Sequence, residues 1–188
     1  MNNDEAKALF KKNIQSVEIG THNYCNRTCT FCPLSVEGVN RRDFKNTIYM
    51  KDEMYENIMR QLSEINFAGR LDFSRYHEPT SHKKYILEKI KIAKRYLPSV
   101  KISLNTNSDY INKEYHQQLV EAGVDSFAFQ AYMKNGANKF DEDEVFKRIN
   151  YITDRLGAPR IDKEQHRNKE WIIYKLPERF RGKIHARN

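Results

Sequence analysis

Ser16-Val17-Glu18-Ile19-Gly20-Thr21-His22-Asn23-Tyr24-Cys25-Asn26-Arg27-Thr28-Cys29-Thr30-Phe31-Cys32-Pro33 is the stretch on which the reading of this chain turns. Its first five residues alternate like a short strand and run straight into three cysteines spaced C-x3-C-x2-C. An odd, tight group of cysteines is a poor disulfide framework and suits a shared metal centre in a reducing compartment. Soft thiolates from one loop can wrap an iron–sulfur cluster, and three of them leave one iron of a [4Fe-4S] cubane without a protein ligand. An open iron is a place for chemistry rather than for electron transfer alone. Zinc is the alternative, because His22 with Cys25, Cys29 and Cys32 supplies a tetrahedral set. Four ligands from so short a run would be cramped, and iron–sulfur is the better fit.

Outward from this loop, strand and helix patterns alternate. Asp4 to Lys12 reads as a leading helix with Ala6, Leu9 and Phe10 on one side. Lys51 to Ile65 repeats Met54, Ile58, Leu62 and Ile65 at helical spacing and ends at Gly69. Arg70 to Ser74 is a strand, Lys84 to Leu97 a helix stopped by Pro98, and Val100 to Leu104 a strand. Lys113 to Ala122 is a helix closed by Gly123, and Ser126 to Ala131 is a strand. Asp141 to Leu156 is a helix whose acidic first turn suits the helix dipole. Beyond Gly157 the pattern weakens, with Trp171 to Tyr174 and Lys183 to Ala186 as further strands. Such alternation implies an α/β fold of parallel strands and crossover helices, either a partial barrel or an open sheet. The cysteine loop follows the first strand, at the C-terminal end where parallel α/β folds place their active sites.

The motif C-x3-C-x-aromatic-C, with Phe31 in the aromatic position, resembles the signature of the radical S-adenosylmethionine (SAM) superfamily. A second segment supports the likeness. Where that family ends its second strand with a Gly-Gly-Glu-Pro-like run, this chain has Phe73-Ser74-Arg75-Tyr76-His77-Glu78-Pro79, which keeps Glu-Pro but puts Tyr76 and His77 in place of the glycines. The resemblance covers roughly residues 17–129. It implies a partial (β/α)6 TIM-like barrel of the radical SAM type. Residues 1–188 then form one core domain, with a leading helix over 1–14 and a basic, less patterned part over 157–188. It implies a [4Fe-4S] cluster on Cys25, Cys29 and Cys32, with the open iron chelating the amino and carboxylate groups of SAM. One electron then yields methionine and a 5′-deoxyadenosyl radical, which abstracts hydrogen from a substrate. A reductant such as flavodoxin or ferredoxin and an unidentified small molecule or peptide are the implied partners.

The resemblance also directs attention to strand ends. Glu78 is the expected acceptor for the SAM ammonium, with Phe31, Ser103, Asn105, Asn107 and Gln130 as further cofactor-binding candidates. Ser103, Asn105 and Asn107 share period-two spacing, although Asn107-Ser108-Asp109 also reads as a turn. Strand alternation allows only one of Tyr76 and His77 to face the same pocket, and Arg75 suits a salt bridge. His116, His166 and His185 lack metal-ligand spacing, Arg41-Arg42 reads as a solvated turn, and Trp171 reads as core.

The formal net charge of +8 is concentrated late in the chain, where residues 155–188 hold ten Lys or Arg against four Asp or Glu. No nucleic-acid motif accompanies it, so a solvated surface is the expectation. No apolar run spans a membrane and the acidic N-terminus is unlike a secretory signal, which favours the cytoplasm. The last strand pattern has no following helix. The chain is therefore expected to be part of a longer architecture or to self-associate along that edge. Without further cysteines it cannot hold a second all-cysteine cluster. Two rival readings stand beside the enzyme: a zinc-stabilised nucleic-acid-binding module and a catalytically inactive radical SAM fragment.

Overall fold

The computed structural model describes residues 2–33, 43–133, 141–160 and 171–187. The elements run α1 (Asn3–Asn13), β1 (Ser16–Ile19), α2 (Asp52–Glu64), β2 (Arg70–Phe73), α3 (Lys83–Tyr96), β3 (Lys101–Thr106), α4 (Lys113–Ala122), β4 (Ser126–Gln130), α5 (Glu142–Leu156), β5 (Trp171–Lys175) and β6 (Gly182–Arg187). Short 3-10 turns occupy Pro79–Ser81 and Glu178–Phe180.

Local chemistry sets the helix ends. Asn2 and Glu5 close a reciprocal capping box on α1, and Asn112 and Asp141 cap α4 and α5 by accepting from Tyr115 N and Glu144 N. Gly157 ends α5 in the left-handed region, where a side chain would be strained. In α2 the buried residues are Tyr55, Met59 and Leu62, while Met54 is exposed. The buried stripe is thus turned by one residue from the Met54–Ile58–Leu62–Ile65 expectation. Tyr55 accounts for the turn: its ring enters the core while its hydroxyl donates to the Lys89 carbonyl at 2.9 Å. α1 buries none of its residues, leaving Leu9 and Phe10 exposed.

The strands form one six-stranded sheet in the order β1-β2-β3-β4-β6-β5. Every neighbouring pair is parallel except β5–β6, which is antiparallel. This corrects two expectations. β5 does not continue the parallel series, because the short link through Glu178–Phe180 reverses the chain too soon for a crossover helix. The sheet edge on that side is therefore β5, with β6 enclosed between β4 and β5. Gly182 permits the close approach of β6 to β4, since a Cβ there would lie 2.6 Å from Phe129 Cε2.

Alternation divides the sheet into two faces. Leu71, Phe73, Ile102, Leu104, Phe129 and Ile184 join the buried faces of α2 to α5 in a single core. The opposite face carries Glu18, Asp72, Ser103, Asn105 and Gln130. Helices thus cover the apolar side, and the polar side leads up to the strand ends where the cysteine loop lies. Among the described residues no helix is long and apolar enough to cross a membrane.

Candidate active site

The C-terminal ends of β1 to β4 open onto a cavity of about 470 Å3. Cys25, Cys29 and Cys32 all line it, together with Arg27, Phe31, Glu78, Asn105, Thr106, Asn107, Gln130 and Tyr132. Its size falls within the range of pockets that hold small ligands. None of the three cysteines is in a disulfide. Burial pushes the Cys29 thiol up, although the Arg27 charge beside it pulls the other way.

His22 does not join the cysteines. Its ring is buried against His77 and His82, at centroid distances of 4.6 and 4.7 Å, and its Nδ1 accepts from Tyr24 N. Among the described residues no three His, Cys, Asp or Glu side chains form a group able to hold a metal ion. His22 is thus packed away from the cavity that the three thiolates border, which leaves the tetrahedral set without its nitrogen ligand. The three thiolates border one cavity, and a cluster would be met by a different cysteine at each of three irons.

Glu78 is deeply embedded for a carboxylate of the site, with 2 % of its surface exposed. Its Oε1 accepts from Thr80 N (3.0 Å), Thr80 Oγ1 (2.5 Å) and Thr106 Oγ1 (2.6 Å), and its Oε2 accepts from Asn107 N (2.7 Å). Burial pushes the carboxyl up in pKa, and these hydrogen bonds oppose that shift. The carboxylate thereby fastens the segment after β2 to the end of β3.

The other sequence candidates divide. Asn105 and Gln130 meet at the cavity, where Gln130 Nε2 donates to Asn105 Oδ1 at 2.8 Å. Phe31 is 68 % exposed at the rim, its ring 5.3 Å from that of Tyr132. Asn107 borders the cavity, but its side chain is spent on the protein: Nδ2 donates to Asn26 Oδ1, and Oδ1 accepts from Asp109 N. Ser103 stands apart from these candidates. It pairs with Asp72 and Ser126 in the middle of the sheet and does not line the cavity, being set back along β3 from Asn105.

Tyr76 and His77 both border the cavity, against the alternation argument. Strand geometry ends at Phe73, and Arg75 has a φ of 79°, so the period of two no longer applies there. Arg75 pairs with Glu18 at an exposed position. His116 is buried, with Nε2 3.0 Å from the Phe180 carbonyl. Arg41, Arg42 and His166 lie outside the described residues, as does the Trp171 side chain. Sequence reasoning missed Arg27, Thr106 and Tyr132. An arginine between two cysteines was the one available signal for Arg27.

The fold is a mostly parallel α/β sheet whose strand ends carry three cysteine thiols around a cavity of small-molecule size. The radical SAM superfamily profile matches residues 19–131, and the chain belongs to that family. The family uses a [4Fe-4S] cluster and AdoMet. The chain is 35% identical over 111 residues to the S-adenosyl-L-methionine-dependent 2-deoxy-scyllo-inosamine dehydrogenase of Niallia circulans, a match covering 59% of this chain and 42% of that protein. Two crystal structures of BtrN are also similar. Selenomethionine BtrN in an open conformation has a TM-score of 0.56 at 31% identity, over 67% of this chain and 53% of BtrN. BtrN in complex with AdoMet and 2-DOIA has a TM-score of 0.56 at 28% identity, over 76% of this chain and 55% of BtrN. The chain thus spans less than half the length of the curated relative it matches.

Proposed function

We propose that this chain carries a [4Fe-4S] cluster on Cys25, Cys29 and Cys32, binds AdoMet in the adjoining cavity, and starts hydrogen abstraction from a polar small molecule. The observation that carries this reading is the placement of all three thiolates around one cavity at the ends of parallel strands. When bound, the reduced cluster supplies the electron that cleaves the sulfonium of AdoMet. The residues of the chain bind, orient and enclose. Glu78 Oε2 accepts one protein hydrogen bond and keeps capacity for the ligand's ammonium. Asn105 Nδ2 and Gln130 Oε1 are not engaged among the described residues and suit ligand hydroxyls or carboxylate. Phe31 and Tyr132 provide an aromatic wall. Arg27 places a positive charge beside the thiolates, where cluster and ligand carboxylate bring negative charge.

The relatedness to a 2-deoxy-scyllo-inosamine dehydrogenase supports a finer reading, the dehydrogenation of a hydroxylated substrate. The polar face of the sheet suits such a ligand. A flavodoxin or ferredoxin is the proposed electron donor and the cytoplasm the proposed setting, in keeping with cysteines outside any disulfide.

Anaerobic reconstitution tests the reading. About four irons per chain are expected, lost in each of Cys25→Ala, Cys29→Ala and Cys32→Ala, with reductive release of methionine and 5′-deoxyadenosine from AdoMet. Stoichiometric zinc with no uptake of iron would overturn it. Iron uptake without AdoMet cleavage would leave the inactive-relative reading in its place.

A further inference from the structure

The cysteine loop is fastened by a buried chain of charges, of which the reading above uses only the Arg27 charge. Arg27 lies between Cys25 and Cys29. Its Nε donates to Asp109 Oδ2 at 2.6 Å and its Nη2 to Asp109 Oδ1 at 2.8 Å, a two-pronged contact. Its Nη1 donates to the Met133 carbonyl at 2.9 Å. On the far side of Asp109 stands Arg148 of α5, whose Nη2 bonds the same Oδ1 and also the Asn107 carbonyl at 2.7 Å. Asn26, which directly follows Cys25, donates to Asp109 Oδ2 at 2.7 Å and accepts from Asn107 Nδ2 at 2.8 Å. The Asn107-Ser108-Asp109 turn therefore holds both residues that follow Cys25.

This arrangement is more than a surface ion pair. The side chains of Arg27, Asp109 and Arg148 are 11, 20 and 14 % exposed. The guanidinium belongs to the loop segment between two cysteines and lines the same cavity as they do, while its hydrogen bonds go to Asp109 and a carbonyl. A cluster on three thiolates becomes more negative on reduction, and its potential follows nearby charge.

Resting on the proposed cluster, we infer that Asp109 and Arg148 are positioning residues for the cysteine loop, and that Arg27 is the group through which they set both the retention and the redox poise of the cluster. Arg27 has two separable duties. Its fork fixes the loop to the β3–α4 turn, and its charge favours the reduced cluster. Asp109 acts through Arg27 on the first duty and opposes it on the second, because its negative charge disfavours reduction. Arg148 keeps Asp109 ionised and aimed at the loop.

The test uses the anaerobically reconstituted full chain with two readouts: the rate of iron loss to a chelator, and the midpoint potential from an EPR-monitored titration. Asp109→Asn and Arg27→Gln should each speed iron loss by about tenfold or more, in line with the effect of removing partners just outside a metal's ligands. Their potentials should move in opposite directions, upward for Asp109→Asn and downward for Arg27→Gln. Arg27→Lys should keep the potential near that of the unaltered chain while still losing iron faster. A merely structural role would change retention without this opposed pattern. Iron loss within about twofold of the unaltered chain in both Asp109→Asn and Arg27→Gln would overturn the inference. So would potentials that stay put or shift the same way. If Asp109→Asn does not fold by circular dichroism, the two Arg27 variants decide the matter: both must lose iron faster, with the potential lowered in Arg27→Gln and kept in Arg27→Lys, or the inference falls. If the unaltered chain takes up no iron, the functional reading fails and the inference goes with it. If that chain loads normally and only the variant pattern fails, the inference alone falls.

Discussion

Replacing Glu78 by Gln keeps the side chain's shape and removes its charge, and the hydrogen bonds around it let the cost be worked out. The carboxylate accepts from two backbone donors, Thr80 N on Oε1 and Asn107 N on Oε2, and from the hydroxyls of Thr80 and Thr106 on Oε1. A glutamine can place its oxygen on one side only. If the oxygen replaces Oε1, the amide nitrogen confronts the Asn107 N–H. If it replaces Oε2, the threonine hydroxyls can rotate to accept, but the Thr80 N–H is left facing an amide donor. One buried N–H is orphaned either way, at about 1–3 kcal/mol. Weaker neutral hydrogen bonds add to this, and relief from burying a charge subtracts from it. The net expectation is a loss of about 2 kcal/mol for Glu78→Gln. Glu78→Ala orphans both N–H groups and leaves a void, for a loss of about 4 kcal/mol. Urea denaturation of the metal-free chain measures both. A Gln variant within about 0.5 kcal/mol of the unaltered protein would refute the account of Glu78 as the fastener between β2 and β3.

Three further outcomes are expected. Burial, then the charges of His77 and His82, push His22 down to about 3, and Tyr49 and Tyr85 also face its ring. The unfolded chain takes up a proton on His22 below about pH 6.5 while the folded chain does not, so stability falls as pH drops, by about 2 kcal/mol between pH 7 and pH 5. His22→Phe should flatten that part of the stability profile, and an unchanged slope would assign the titration elsewhere. Arg75 holds a φ of 79° and in return makes exposed contacts with Glu18 and the Tyr76 side chain. Arg75→Gly should therefore raise the thermal midpoint through about 1 kcal/mol of relieved strain, and a clear drop would show that these contacts matter more. Gly182→Ala drives a Cβ to 2.6 Å from Phe129 Cε2 and 3.1 Å from Phe127 Cβ, and should cost about 1–3 kcal/mol in denaturant titrations.

The elements were largely legible because apolar spacing and punctuation agreed. Gly123 and Gly157 stand at the helix ends where they were read, and Asp141 caps the helix whose first turn is acidic. What sequence could not supply was the orientation of amphipathic residues and the direction of β5. Tyr55 hid the true face of α2, because a tyrosine counts as polar or apolar according to where its hydroxyl finds a partner. The thiolate loop was readable from spacing alone. Its fasteners were not: Asp109 reads as an ordinary turn former until the fold brings it to Arg27, far away along the chain. Asn107 stood out as a cofactor-binding candidate through the resemblance, and it lines the cavity. What the resemblance did not offer is that its side chain holds the loop and its backbone N–H meets Glu78.

The enclosure of β6 between β4 and β5 has a consequence for the order in which the molecule can be assembled. A ribosome delivers β4, then α5, then β5, and only afterwards the strand that must pair with β4. Until then β4 keeps an unpaired backbone edge, and β5 has no partner in the sheet. Pairings across such a sequence separation form slowly, and unsatisfied strand edges recruit other chains in the meantime. Expression yield should therefore respond more sharply to changes in β6 than the modest length of that strand would suggest. A slow translation step placed just before β6 would lengthen the vulnerable interval, whereas one placed after it would not.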